Sequence, residues 1–111
     1  REKLFVEIPR WAGTCLEIAV NGVVAGVTGW PPYEVDLTPA AGGDDFELGI
    51  TVVSHRRNSH GPLHMRRNPK SGWIGPTQFV TEGDDWTDEY RLVPVGLLAD
   101  PVLTLRRAIR P

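Results

Sequence analysis

The chain has 111 residues, of which 41% are hydrophobic and 23% are charged, a composition typical of one soluble globular domain. Twelve Lys and Arg against fourteen Asp and Glu give a formal net charge of -2, so we expect neither a nucleic-acid nor a membrane partner. The single cysteine, Cys15, excludes an intrachain disulfide and a Cys-x-x-Cys redox pair, and we expect it to be a buried small hydrophobe.

Hydrophobic residues alternate with others in several short segments, which is the pattern of half-buried strands. The first two such segments are residues 4–8 and 15–20. Asn21 and Gly22 follow at once, and this dipeptide favours the positive φ angles of a type I′ turn. We therefore expect residues 15–20 and 23–27 to form a hairpin.

The rest of the chain is divided by 12 Gly and 10 Pro into further short elements. Trp30-Pro31-Pro32 predicts a loop, because prolines lack the ladder donor. Residues 105–109 fit either a strand or a helical turn. Further strands are predicted at residues 33–37, 46–53, 73–74, 79–80, 90–95 and 102–105. This pattern predicts an all-β fold, an antiparallel β-sandwich.

The segment SHRRNSHGPLHMRR, residues 54–67, contains all three histidines of the chain. His60 and His64 have the i, i+4 spacing that places two zinc ligands on one helical face. Gly61 and Pro62 argue against that helix, and no acidic residue lies in the segment. We therefore expect ordinary loop histidines and no metal site.

Positively and negatively charged side chains are concentrated in two separate segments of the chain. The same segment carries four arginines, while residues 82–89, EGDDWTDE, carry five carboxylates. The arginines could form a patch for phosphate, sulfate or carboxylate, but we expect salt bridges with the acidic loop or with a neighbouring domain. For the acidic loop the alternative is a structural Ca²⁺. The spacing does not match an EF-hand, so we expect a solvated loop and no cofactor.

The exposed aromatic residues are the candidates for ligand contact. Sugars pack their C–H faces on aromatic rings while their hydroxyl groups take polar partners. Trp30 lies beside a double proline and Trp86 lies inside the acidic loop, so these are the tryptophans least expected in a core. The predicted carbohydrate-binding residues are Trp30, Tyr33 and Trp86 for stacking, with Asp84, Asp85 and Arg56 for hydrogen bonds to hydroxyl groups.

The stretch CLEIAVNGVVAGVTGWPPYEVDLTPAAGGDDFELGITVVSHRRNSHGP resembles the galactose-binding-like jelly-roll domains of glycoside hydrolases, especially the sugar-binding domain of the β-galactosidase and β-glucuronidase family. The matching positions are Val20-Asn21-Gly22, Gly26, Tyr33, Asp36-Leu37-Thr38 and the strand at residues 46–53. RRNSHGPLH, WIGPTQF and YRLVPVGLL resemble the closing region of accessory β-domains of large bacterial glycosidases. Together the matches cover residues 4–105.

The resemblance implies a non-catalytic accessory domain, residues 1–111, that packs against the catalytic domain of a larger glycosidase. The start at Arg1 without an initiator Met agrees with a piece of a longer protein. No catalytic residue is expected, since the catalytic residues of this family lie in a separate domain. We expect Arg56, Arg57 and Asn58 to pin the loop at 54–67, with Gly61 and Pro62 setting its turn. The alternatives are a carbohydrate-binding module that uses exposed aromatics, and an enzyme in its own right.

Overall fold

The computed structural model describes residues 2–43, 45–66 and 74–109. The chain divides into two compact units, which we call the sheet unit, residues 1–54 and 95–111, and the loop unit, residues 55–94. The strands are β1 Glu2–Glu7, β2 Trp11–Ala12, β3 Cys15–Val20, β4 Val23–Thr28, β5 Glu34–Asp36, β6 Leu48–Val53, β7 Gly96–Leu97 and β8 Val102–Arg107. All of them belong to the sheet unit. The loop unit holds helix α1, Arg57–His60, and a 3₁₀ turn, Pro76–Gln78.

The sheet unit is built from antiparallel sheets, as the all-β prediction requires. Their strand orders are β5-β1-β8, β4-β3-β6 and β2-β7. The predicted hairpin is confirmed, because β3 pairs with β4 and Val20 lies opposite Val23. Asn21 and Gly22 have φ angles of 51° and 82°, both in the left-handed region that a type I′ turn requires.

The core of the sheet unit lies between the two three-stranded sheets. Its buried side chains are Val6, Ile8, Leu16, Ile18, Val20, Val35 and Leu37. Because β1 and β5 belong to one sheet and β3 to the other, both sheets contribute to one cluster. Burial of each such side chain stabilises the fold by about 1.5–3 kcal/mol relative to exposure.

The residues Asp36-Leu37-Thr38 close β5 through local hydrogen bonds. Asp36 Oδ1 accepts the N–H of Thr38 at 2.9 Å, and Thr38 Oγ1 accepts the N–H of Leu4 at 2.9 Å. Hydrogen bonds from the hydroxyl and N–H groups of Thr38 hold the pKa of Asp36 below its ordinary value. The turn residue Asn21 acts similarly, since its Oδ1 accepts the N–H of Glu47 at 2.8 Å ahead of β6.

Several sequence predictions differ from the structure. Residues 90–95 form no strand, because the Asn58 side chain occupies the backbone N–H and C=O of Val93 and Pro94 has no donor. The short strands β2 and β7, which pair with each other, were not predicted. Neither was α1. For residues 105–109 the sequence fitted either a strand or a helical turn, and the structure shows a strand, since β8 continues to Arg107.

Three smaller predictions also need correction or lie outside the structure. Cys15 is half-buried, not buried, because it faces outward on β3. Phe79 and Val80 follow the 3₁₀ turn and form no strand. Trp73 and Arg67 lie outside the described residues. In the part of the chain that is described, no helix has the length and apolar character needed to cross a membrane.

Candidate functional site

The loop unit is held together by two segments that run antiparallel, residues 63–66 and 85–91. The N–H of Thr87 donates to the carbonyl of His64 at 2.9 Å. Met65 and Trp86 form an antiparallel β-bridge. The backbone N–H groups of Arg66 and Arg91 donate to the carbonyls of Asp85 and Leu63 respectively. The basic segment and the acidic loop therefore meet through their backbones.

An aromatic cluster fixes His64 inside this unit. Its ring stacks on Trp86 with centroids 6.0 Å apart and contacts Tyr90 with centroids 4.9 Å apart. His64 Nδ1 lies 3.0 Å from the carbonyl oxygen of Thr87. Because a carbonyl oxygen only accepts, Nδ1 is the donor in this hydrogen bond.

A pocket of about 270 Å³ opens in the loop unit beside His64. Its walls are mostly apolar, and they are formed by Gly61, Pro62, Leu63, His64, Met65, Gln78, Phe79, Val80 and Thr81. The side chain of Phe79 is 50% exposed, whereas Gln78 Oε1 already accepts the N–H of Gly75 at 2.7 Å. An aromatic wall with few polar groups is suited to a sugar ring or an apolar side chain.

Sequence reasoning missed this pocket, because Phe79 was taken for a strand residue. The sequence does contain a turn signal, the Gly75-Pro76 pair. The 3₁₀ turn begins at Pro76 and ends at Gln78, directly before Phe79. No local pattern indicates that the 3₁₀ turn lies against residues 61–65.

The six predicted carbohydrate-binding residues are divided between the two units. Trp30 and Tyr33 are in the sheet unit, while Arg56, Asp84, Asp85 and Trp86 are in the loop unit. In the loop unit, Arg56 and Asp84 are exposed, and Asp85 and Trp86 are half-buried. We therefore treat the two groups as separate surfaces.

Trp30 and Tyr33 differ in what their rings contact. Trp30 is 78% exposed and follows β4, where the hydroxyl of Thr28 donates to its carbonyl at 3.2 Å. Tyr33 is half-buried, and its ring meets the edge of Trp11 at 5.1 Å with the planes 88° apart. The Tyr33 ring is therefore part of the packing, and Trp30 is the aromatic of this surface that faces solvent.

Side-chain hydrogen bonds define the shape of the segment at 54–67. Arg57 Nη1 donates to the carbonyl of Pro62 at 2.8 Å. Asn58 makes two bonds to Val93, donating from Nδ2 to the carbonyl and accepting the N–H at Oδ1, both at 2.8 Å. At Gly61 a Cβ would collide with the carbonyl of Arg57, so the turn has room only for glycine. Pro62 is buried.

The histidines bind groups of the protein itself. His55 Nδ1 accepts the N–H of Arg57 at 3.2 Å, and Nε2 donates to the carbonyl of Pro94 at 3.0 Å, so both nitrogens are used. His60 Nδ1 lies 2.7 Å from Ser59 Oγ. Among residues 2–43, 45–66 and 74–109, no three His, Cys, Asp or Glu side chains are grouped closely enough to hold a metal ion.

The predicted salt bridges between the basic segment and the acidic loop are not seen for Arg56 or Arg57 within the described part of the chain. The ion pairs there include Arg91–Glu89 at 3.9 Å inside the acidic region. Arg66 donates instead to the carbonyl of Trp86 at 3.4 Å. Arg57 and Arg66 thus bond to backbone carbonyls, whose positions a sequence does not reveal.

No protein-family model matches the chain, and no curated protein matches it. Among solved structures, the chain is similar to that of a rhamnosidase from Novosphingobium sp. PP1Y, with a TM-score of 0.58 and 20% identity. The match covers 95% of this chain and 9% of the rhamnosidase chain. At this identity the likeness concerns the fold alone, and this fold is similar to a small part of a much longer polypeptide.

Proposed function

We propose that the chain is a non-catalytic accessory domain of a glycoside hydrolase, and that its partner is the catalytic domain of the same polypeptide. The observation that carries this proposal is the match of 95% of the chain to 9% of a rhamnosidase. A segment this small cannot account for the activity of the whole enzyme, so a supporting role follows most directly.

We further propose that residues 1–111 are one galactose-binding-like domain, in which the strands of the sheet unit form the jelly-roll sandwich. The support comes from the positions that match that domain type. Asn21 anchors the chain ahead of β6, Gly26 lies against Val35 between the sheets, and Thr38 bonds both Asp36 and β1. Asn21, Gly26 and Thr38 thus each have a structural role in the sheet unit.

The loop unit is the surface that we assign to the catalytic domain. Its large apolar side chains Phe79, Tyr90 and Leu92 are 50%, 68% and 64% exposed. Exposed apolar groups of this size are typical of protein contact surfaces. The bonds between Asn58 and Val93 hold the segment in one shape, which limits the entropy that docking would cost.

The test is to determine the coding sequence that flanks residues 1–111 and to express the whole polypeptide. We expect a glycosidase domain in it, and we expect Tyr90→Ser with Leu92→Ser to lower its melting temperature and raise KM for an aryl rhamnoside. Val27→Ser, at a residue 62% exposed in the sheet unit, is the matched control. A flanking sequence without a glycosidase domain would refute the proposal.

A second candidate function is a carbohydrate-binding module. Two observations favour it, the 78% exposure of Trp30 and the pocket walled by Phe79. In this alternative Trp30 stacks on the sugar from the sheet unit, while Trp86, Asp84, Asp85 and Arg56 form a second contact in the loop unit.

Isothermal titration of the chain with a panel of oligosaccharides tests this function. If the chain is a module, at least one glycan binds, and Trp30→Ala or Trp86→Ala weakens the binding, as do Asp84→Ala and Arg56→Ala. Trp11→Phe is the control, since Trp11 packs against Tyr33. The module is ruled out if no glycan binds, and the residue assignment is wrong if both tryptophan variants bind as tightly as the parent chain.

A further inference from the structure

The pocket beside His64 has one wall that is held in place by residues outside the pocket. The carbonyl of Pro62 accepts a hydrogen bond from Arg57 Nη1 at 2.8 Å, and Pro62 itself is buried. Met65 forms a β-bridge with Trp86, and the His64 ring stacks on the same Trp86. Neither Arg57 nor Trp86 lines the pocket. This wall therefore has its shape before any ligand arrives, which lowers the entropy cost of binding.

Within the described residues, three polar side chains of the pocket keep hydrogen-bonding groups that the protein does not use. Gln78 Oε1 accepts the N–H of Gly75 at 2.7 Å, which fixes the carboxamide and leaves Nε2 as a donor. The hydroxyl of Thr81 makes no hydrogen bond in the described part of the chain. His64 Nδ1 donates to Thr87, so in the neutral imidazole Nε2 is an acceptor. The lining residues thus offer one donor, one hydroxyl and one acceptor.

The other lining side chains are apolar, and they suit an aromatic ring. Phe79 is 50% exposed, so its ring is open to stacking against a second ring. Met65 adds a thioether, which interacts favourably with aromatic rings. Aliphatic contact comes from Pro62, Leu63 and Val80. The volume of about 270 Å³ lies just below the roughly 300–1,000 Å³ of pockets for drug-sized ligands, so the pocket fits one ring with small substituents.

We propose that the pocket beside His64 binds an aromatic ring that carries a phenolic oxygen. The ring contacts Phe79 and Met65, and the oxygen accepts a hydrogen bond from Gln78 Nε2. A sugar ring fits these walls less well, because several of its hydroxyl groups would lie against aliphatic side chains and lose their bonds to water. An apolar side chain of a partner protein also fits less well, since it would cover the free groups of Gln78 and Thr81 without replacing their bonds to water.

Titration of the whole chain with small probes, followed by backbone amide shifts in NMR, tests the proposal. The probe is 4-methylphenol, and 4-methylcyclohexanol is the matched probe without an aromatic ring. We expect 4-methylphenol to shift amides among residues 61–65 and 78–81, and 4-methylcyclohexanol to bind roughly two- to tenfold more weakly. Phenyl β-D-glucoside separates two sources of the ring. If it shifts the same residues, an aryl glycoside can supply the ring, and if it does not, a free phenol is required.

Two variants assign the binding to the pocket. Phe79→Leu keeps an apolar side chain but removes the ring, so we expect it to weaken binding of 4-methylphenol roughly two- to tenfold. Its fold should be that of the parent chain, because Phe79 is half exposed, and the amide spectrum checks this. Trp30→Ala is the matched control, since it removes a ring that is 78% exposed in the sheet unit, and it should bind 4-methylphenol as the parent chain does.

Three results would overturn the proposal. The first is that 4-methylphenol leaves residues 61–65 and 78–81 unshifted. The second is that Phe79→Leu binds 4-methylphenol as tightly as the parent chain. The third is that methyl β-D-glucoside shifts these residues and 4-methylphenol does not, which would make the pocket a sugar site. None of these results bears on the accessory function, which needs no small ligand.

Discussion

Gly26 on β4 is the position where the two sheets approach too closely for any side chain. A Cβ at residue 26 would lie 2.7 Å from Cγ1 and 3.3 Å from Cγ2 of Val35 on β5. Because β4 and β5 belong to opposite sheets, a methyl group there would push the sheets apart. We therefore expect Gly26→Ala to destabilise the sheet unit, although Ala usually stabilises a strand relative to Gly.

The magnitude follows from two opposing effects. Forcing a methyl group into a packed core costs about 1–3 kcal/mol. Val35 is 8% exposed and belongs to the core cluster, so it has little room to move away. Replacing Gly by Ala also reduces the entropy of the unfolded chain, which returns about 0.4–1 kcal/mol. The net loss in free energy of unfolding should be roughly 1–2 kcal/mol.

Urea denaturation followed by tryptophan fluorescence measures this loss, and a double-mutant cycle assigns its cause. Val35→Ala alone leaves a cavity, but with Gly26→Ala the new methyl group enters that space. The two losses should therefore sum to more than the loss of the double mutant, by roughly 1 kcal/mol. Gly49→Ala on β6 is the matched control, since its Cβ would meet Ala19 at an ordinary 3.6 Å. Unchanged stability in Gly26→Ala, or strict additivity with Val35→Ala, would refute the reasoning.

Three further outcomes follow from contacts elsewhere. Asn58→Ala removes both bonds to Val93, so we expect a loss of about 1–3 kcal/mol and faster amide exchange of Val93 by NMR; unchanged exchange would contradict this. The hydrogen bond from Arg106 lowers the pKa of Glu34, so its stabilisation is present above the unfolded pKa and is lost as pH falls through the folded pKa. Below about pH 4, the melting temperature should thus fall more steeply in the parent chain than in Glu34→Gln; parallel curves would exclude the ion pair as a cause. Trp30→Ala should change stability by less than about 0.5 kcal/mol, because the residue is largely exposed, and a larger loss in denaturant titration would show that its ring is packed.

The parts of the fold that could be predicted are those specified by local patterns. The hairpin of β3 and β4 follows from alternating apolar residues and from Asn21-Gly22, whose positive φ angles depend only on those two residues. The long strands β1 and β6 carry the same alternation, and their predicted positions agree with the structure to within a few residues. A periodic pattern of this kind needs no information from the rest of the chain.

The wrong prediction at residues 90–95 has a non-local cause. The alternation from Tyr90 to Val95 suits a strand, but the backbone of Val93 bonds to a side chain 35 residues away. An asparagine amide offers one donor and one acceptor, so Asn58 replaces the strand partner that Val93 would otherwise need. The strands β2 and β7 were missed for another reason, since elements of two residues show no periodicity.

The candidate site was partly visible in the sequence. Trp30 was recognised as a solvent-facing aromatic because Pro31 and Pro32 interrupt the strand beside it, and its exposure agrees with that. Tyr33 was grouped with it by chemistry alone, and only the structure shows its contact with Trp11. The pocket beside His64 was not visible, because it combines residues 61–65 with residues 78–81, which are separated in the sequence.

The loop unit is ordered by side-chain hydrogen bonds in addition to the backbone contacts between residues 63–66 and 85–91, whereas the sheet unit is ordered by backbone ladders. His55, Arg57 and Asn58 each bond a backbone carbonyl, so these three residues help to determine the shape of the loop, as was expected of Arg57 and Asn58. The atoms that make these bonds are already used within the protein. Arg56 and the ring of Phe79 are exposed, so they are available for the recognition that we propose for the loop unit. Arginine and aromatic residues are enriched at protein interfaces, which agrees with the contact to a neighbouring domain that we propose.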